Sequence, residues 1–242
     1  MFNLKGKTAL VTGSTQGIGY AIAKALIVAG ADVYIHCSKD AEKAKRIAAE
    51  LGSELYVTAD LSREDAADKL FAATGALDIV VANASVQYRR EWQAIDKTEF
   101  DSQVDVNLRS TLALMQRYIP EMQKRGFGRF VTVGSVQEYR PHVNMALYAA
   151  TKCAVFSLVK NVAKQVAKDG VTVNNLVPGV IATPRNEAAL SDPEYAAKVM
   201  AGIPAGYAGE AEDCAVAALL LCSPEGRYIT GAEICVDGGM SL

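Results

Sequence analysis

The chain has 242 residues, half of them hydrophobic, with 25 basic and 27 acidic side chains and a formal charge of −2. That length suits one large α/β domain, and the near balance of charge, without a dense basic run, points away from nucleic acid. No apolar run reaches about 18 residues, so no membrane span is predicted.

The five cysteines are scattered, odd in number and free of any Cys-x-x-Cys pair, and there are two histidines. No metal site is expected from that set. A reduced, cytoplasmic protein is. The first residues lack the apolar core of a secretory signal.

In chain order, residues 8–12 read as a short strand, and a glycine turn follows at residues 13–19. A helical pattern runs over residues 20–28 and closes at Gly30. Residues 32–37 form a second apolar run. Asp40 caps a charged helix that ends at Gly52. Residues 55–59 are a third strand, followed by Asp60 and a helix capped by Ser62. Residues 77–82 are a fourth strand. A polar loop, about 83–97, leads to a long helix over about 99–124. Residues 130–133 are strand five. A helix from about Leu147 ends near Gly170, residues 171–177 are strand six, and a Pro/Gly/Ala-rich stretch runs from Pro178 to about Gly209. A last helix covers about 211–222 and a last strand 233–236. Strands alternating with helices predict a parallel sheet covered on both faces, and the near-continuous apolar strands agree with that. The fold class expected is a single-domain, Rossmann-type doubly wound α/β sheet of about seven strands. A substrate-loop insertion is expected at about 183–209.

Gly13, Gly17 and Gly19 lie at a strand–turn–helix junction. Glycines there let the backbone approach a pyrophosphate, and the helix N-terminus offers N–H groups and a positive dipole end. The turn residues Ser14, Thr15, Gln16 and Ile18 belong to the same cofactor-binding prediction. Further on, Tyr148 and Lys152 are four apart and share one helix face. A free phenol ionises near 10, and a cation one turn away favours the phenolate. Ser135 lies across a Pro-containing loop and is placed to hydrogen-bond the same reacting oxygen. A Tyr and a Lys at this spacing are also ordinary surface residues, so their company decides. Cys153 reads as a small core residue, and His36 and His142 as structural or loop residues.

Taken together, Thr12-Gly13-x-x-x-Gly17-x-Gly19, Ser135 and Tyr148-x-x-x-Lys152 resemble the short-chain dehydrogenase/reductase family over nearly the whole chain. The resemblance implies a catalytic set of Asn107, Ser135, Tyr148 and Lys152, with Tyr148 as general acid/base and Lys152 on the nicotinamide ribose. It places Asp60 and Leu61 at the adenine side, although Asp60 also reads as a helix cap. Asn83 and Ala84 match the family's run after strand four, with Ala82 and Ser85 as departures. Pro178, Gly179, Ile181 and Thr183 match the segment at the nicotinamide end. Two classes follow: a nicotinamide-dependent oxidoreductase of a secondary alcohol or ketone, or a cofactor-binding regulator without chemistry.

No carboxylate ends strand two; Ser38 and Lys39 stand there instead, which favours NADP over NAD. The loops after Asn83 and Ser135 carry a polar, partly cationic set, with Arg89, Gln137, Arg140 and His142 as candidate substrate residues. The run Gln87-Tyr88-Arg89-Arg90 is similar to that of gluconate 5-dehydrogenases. A sugar acid or polyol is therefore the expected substrate class, with a 3-oxoacyl carrier-protein reductase as the competing enzyme. By resemblance, a homotetramer is expected.

Overall fold

Each short apolar run becomes a strand because helices cover it on both sides. The computed structural model describes residues 2–242. Among these, β1 (Thr8–Val11), β2 (Asp32–Cys37), β3 (Tyr56–Thr58), β4 (Ile79–Ala82), β5 (Gly128–Val133), β6 (Val171–Pro178) and β7 (Glu233–Val236) form one sheet, in the order β3-β2-β1-β4-β5-β6-β7. Every pairing is parallel; Leu10 stands opposite Tyr34 and Val80, and Asn175 opposite Glu233. The helices are α1 (Gly17–Val28), α2 (Ala41–Glu50), α3 (Ala66–Thr74), α4 (Lys97–Gln103), α5 (Ser110–Arg125), α6 (Ala146–Val166), α7 (Pro184–Leu190), α8 (Pro193–Ala201) and α9 (Ala211–Cys222).

The strands' alternate residues face two separate cores. Val11, Ile35, Val81 and Val131 pack under α1, α2 and α9. Leu10, Val57, Val80 and Phe130 pack under α3, α5 and α6. The order of strands reverses between β1 and β4, which opens a crevice beyond their carboxyl ends. Both the glycine turn and Asn83 leave the sheet there. No helix among the described residues is long and apolar enough to cross a membrane.

Four local differences from the sequence reading have physical causes. Ser62 caps no helix: its N–H and Oγ both bond Asp60 Oδ1, at 3.1 and 2.7 Å, and this tight turn delays α3 to Ala66. The long helix predicted over about 99–124 starts at Lys97, capped by Asp96, and widens into a π-helical segment at Val104–Arg109. The Pro/Gly/Ala-rich stretch folds into α7 and α8, each with a proline in its first turn, where a missing N–H costs nothing. Cys153 is exposed, not in the core. Tyr148, Thr151, Lys152 and Val155 take α6's buried face, and residue 153 points away from it.

Candidate active site

The site is built first by glycines. Gly13 and Gly17 take left-handed φ values of 64° and 55°. A Cβ on Gly13 would sit 3.1 Å from Ala84 Cα, and one on Gly19 would sit 2.5 Å from the Gly13 carbonyl oxygen. Side chains at these positions would push the turn, α1 and the end of β4 apart. Asn83 stitches them together: its Nδ2 donates to Thr12 O at 2.8 Å and Gly13 O at 3.2 Å, while Thr12 Oγ1 accepts the N–H groups of Asn83 and Ala84.

His36 braces the turn from below, as a structural residue. Its Nδ1 accepts the Gly13 N–H at 3.0 Å and its Nε2 faces Ala59 O at 3.0 Å, which fixes a neutral ring with the proton on Nε2. Burial pushes its pKa from 6.5 down to about 4, against a smaller upward pull from the Ala59 carbonyl. Ser14 exchanges bonds with the His36 backbone, so its side chain serves the turn and faces β2. Gln16 makes no side-chain cap on α1, and the first turn of α1 holds no acidic residue. Uncapped N–H groups at the mouth of a crevice suit an anion.

At the far end, Asp60 pairs with Lys39 at 3.2 Å. Its carboxyl lies below the ordinary range chiefly because Ser62 donates to it, with Lys39 adding to the effect. Ser38 and Lys39 are exposed, Leu61 is buried in the core, and none of these four lines the main cleft. Lys43 does line it, with Nζ donating to Gln16 Oε1 at 3.1 Å. The sequence reading passed over Lys43 as one charge among several on α2.

The proton-transfer residues converge at the other end. Tyr148 and Lys152 are both buried on α6, with Lys152 Nζ 5.5 Å from the centre of the Tyr148 ring. Lys152 Nζ donates to Val133 O at 2.6 Å, which anchors it to the end of β5. Burial above all pushes the Lys152 ammonium down; Tyr148 and Glu138 pull it back up and Arg185 adds to the fall. Ser135 follows β5, and its Oγ accepts the Gln137 N–H at 3.2 Å, leaving its own O–H to donate into the cleft. Asn107 sits in the π-helical segment, a form frequent at functional sites. Its amide exchanges two 2.9 Å bonds with Val86 and donates to Thr151 Oγ1 at 3.2 Å. Asn107 therefore lies behind Lys152, joining α6 to the loop after β4, and does not line the cleft.

The cleft measures about 760 Å³ and runs from the glycine turn to Met240. Thr15, Pro178, Gly179, Ile181 and Thr183, expected to hold the cofactor, line it. Its described lining includes Lys43, Arg89, Arg140, Lys152, Arg185 and Lys198 and no carboxylate, in a chain whose net charge is −2. Arg140 is tied by bonds to Met240 O (3.0 Å) and Gly202 O (3.4 Å). Gln137 Oε1 accepts the His142 N–H at 2.6 Å, so this amide shapes the loop. His142 is held neutral-leaning by burial first, then by Arg89 and Lys198. Arg89 faces the Tyr195 ring at 5.7 Å, whereas Arg90 leaves the cleft to pair with Glu99 at 2.8 Å. Arg185 donates to Ser85 Oγ at 2.9 Å and to Ser85 O at 2.8 Å, across the crevice. Arg185, Tyr195 and Lys198 were missed from the sequence. For Arg185 a signal existed: it follows Thr183-Pro184 directly. Among the described residues no group of three His, Cys, Asp or Glu side chains is arranged to hold a metal.

Comparisons with known proteins agree with this geometry. Residues 13–241 match the family model described as enoyl-(acyl carrier protein) reductase. The chain is 36% identical over 249 residues to 3beta-hydroxysteroid dehydrogenase 1 of Eggerthella lenta, covering 99% of this chain and 95% of that one. Two solved structures superpose closely. A 3-oxoacyl (acyl-carrier-protein) reductase from Agrobacterium tumefaciens C58 with NADP bound is 38% identical, with a TM-score of 0.92, covering 98% of this chain and 95% of that one. A gluconate 5-dehydrogenase from Burkholderia cenocepacia J2315 in complex with NADP and tartrate is 32% identical, with a TM-score of 0.92, covering 99% and 97%.

Proposed function

The chain belongs to the short-chain dehydrogenase/reductase family, as an oxidoreductase dependent on a nicotinamide cofactor, and we propose that it prefers NADP and acts on a sugar acid or polyol. The observation that carries the substrate class is that every charged side chain lining the cleft is cationic. Low-dielectric walls of one sign focus the field and draw in anions. Arg185 acts on Lys152, and Arg89 and Lys198 act on His142, so a substrate carboxylate among them would pair with a guanidinium. Similarity to the gluconate 5-dehydrogenase that holds tartrate supports the same class.

The glycine cradle and the uncapped start of α1 fit a dinucleotide pyrophosphate. When bound, the cofactor carries the hydride. The chain's own residues do the rest. Tyr148 gives a proton to the substrate oxygen in reduction and takes it in oxidation. Ser135 donates a hydrogen bond to that oxygen, Lys152 would hold the ribose and sets its positive charge beside the Tyr148 ring, and Asn107 ties the Thr151 side chain, next to Lys152, to the Val86 backbone. Preference for NADP is supported by Lys43 at the cleft wall and by the lack of a free carboxylate there: Asp40 is occupied in capping α2 through the Lys43 N–H. Two solved relatives carry NADP. We further assign residues 1–242 to one domain, with 183–209 as the substrate-facing insertion, and place the protein as a cytoplasmic homotetramer. Light scattering at the monomer mass would contradict the last assignment.

The deciding experiment is a cofactor-absorbance screen over gluconate-type acids, polyols, steroids and acetoacetyl thioesters. Turnover of acids or polyols is expected. Activity on thioesters with none on acids or polyols would overturn the substrate class in favour of carrier-protein chemistry.

A further inference from the structure

The turn that carries Ser135 is gripped from behind by two carboxylates that proton transfer from Tyr148 does not use. Ser135 N donates to Glu138 Oε1 at 2.8 Å, and with the Ser135 Oγ bond this closes a capping box around the short turn Val136–Glu138. Asn175, fully buried on β6, reaches Glu138 Oε2 at 3.2 Å and Glu233 Oε1 at 3.0 Å with the same Nδ2. Its Oδ1 accepts Thr132 Oγ1–H at 2.6 Å, so the amide presents its nitrogen to both acids. Glu233 Oε2 accepts the Tyr139 O–H. The space is made by Gly134: any Cβ there would overlap Glu138 Oε1 and lie 2.7 Å from Asn175 Nδ2.

Asn175 Nδ2 thus holds the Glu138 and Glu233 carboxylates side by side on one amide nitrogen. Burial first, and the neighbouring Glu233 carboxylate next, favour the protonated form of Glu138 in this arrangement. We propose that protonated Glu138, held beside Glu233, is a positioning residue that holds Ser135 against the reacting oxygen, and that loss of this proton releases the turn. The proposal rests on the reading of Ser135 as the substrate's hydrogen-bond donor.

The surrounding groups give the direction of the switch. Burial is the main force keeping Glu138 protonated, up to about 8; Glu233 adds to it, and the Ser135 N–H and Lys152 oppose it. The other titratable groups facing the pair are Tyr139, beside Glu138, Cys153 on α6 and Cys235 on β7. Ionisation of Glu138 sets two like charges side by side on Asn175 Nδ2 in a half-buried site. Repulsion then drives Glu138 away from Glu233, and the Ser135 N–H loses its acceptor or gains a displaced one.

The test is Glu138→Gln. Its amide keeps an oxygen for the Ser135 N–H and offers an N–H to Glu233, as the protonated acid does, but it does not titrate. The wild type is expected to lose kcat as pH rises through about 8, with a carboxylic-acid band in its infrared spectrum lost at the same midpoint. Glu138→Gln is expected to keep wild-type kcat at pH 7 and to lose that alkaline break. Glu138→Ala is expected to lower kcat by about tenfold or more with cofactor KM unchanged. An unmoved break in Glu138→Gln, or a Gln variant as impaired as the Ala variant, overturns the proposal. Ser135→Ala, run in parallel, separates the layers. If it keeps full turnover, the reading of Ser135 fails; if it is inactive while both Glu138 variants behave as wild type, the positioning role alone fails.

Discussion

Acidification tests the brace under the glycine turn. His36 holds its proton on Nε2 and accepts the Gly13 N–H at Nδ1. A second proton, on Nδ1, would set two donors face to face and strand the Gly13 N–H. The folded pKa of about 4 lies below the free value of 6.5. The unfolded chain therefore binds one more proton than the folded chain between those values. Stability is full above about pH 6.5 and falls as pH drops through that window. The difference between 6.5 and 4 corresponds to about 3 kcal/mol at pH 4, from ~1.36 kcal/mol per pH unit. Several carboxylates titrate nearby, so the assay is a difference curve: urea unfolding of wild type and His36→Gln from pH 7.5 to 4. The wild type should lose about 3 kcal/mol more than the variant across this range. A flat difference curve would refute the neutral, Nδ1-accepting His36 and with it the bracing of the turn.

Gly19→Ala is expected to raise the cofactor Kd by about tenfold or more, because the new Cβ meets the Gly13 carbonyl at 2.5 Å and overpacking of this kind costs about 1–3 kcal/mol; titration of bound-cofactor fluorescence reads it. Lys43→Ala should weaken NADP binding and leave NAD binding nearly unchanged, and equal losses for both would remove Lys43 from the 2′-phosphate. Asn107→Ala removes three hydrogen bonds, one from buried Thr151 and two from half-buried Val86, and should lower stability by about 1–3 kcal/mol, together with kcat, in thermal unfolding and turnover assays.

What the sequence disclosed was whatever is coded by short spacing. Gly13, Gly17 and Gly19 sit within seven positions, and Tyr148 and Lys152 within one helical turn, so periodicity alone brings them together. The parallel sheet with helices on both faces also followed from alternating apolar runs. Glu138 and Glu233 are 95 positions apart and meet only because β5, β6 and β7 are neighbours; no local pattern announces such a pair. Lys43 and Lys198 look like solvated helix lysines until the fold shows which face the cleft occupies. Cys153 failed for the converse reason: an apolar stretch was read without fixing its helical phase, and the phase set by Tyr148 and Lys152 turns residue 153 outward. Lys39 was read with Ser38 as a phosphate partner, but the fold pairs it with Asp60 and leaves it off the cleft wall.

Ser85, where the family run has glycine, gains a reason from the opposite wall. A glycine there would still lend its carbonyl to Arg185 but would lack the hydroxyl that accepts the second guanidinium bond at 2.9 Å. Arg185 is the second residue of α7, within the insertion, so the bond joins α7 to the loop after β4. The same guanidinium is one of the charges pushing Lys152 down. A substrate carboxylate that drew Arg185 off Ser85 would also neutralise it, and Lys152 would then hold its proton more firmly beside Tyr148. An anionic substrate thus favours the charge state that the proton transfer requires, whereas a neutral substrate would leave Arg185 on Ser85 and its unfavourable charge in place. One departure from the family pattern, Ser85, and one residue that spacing did not reveal, Arg185, meet at this contact.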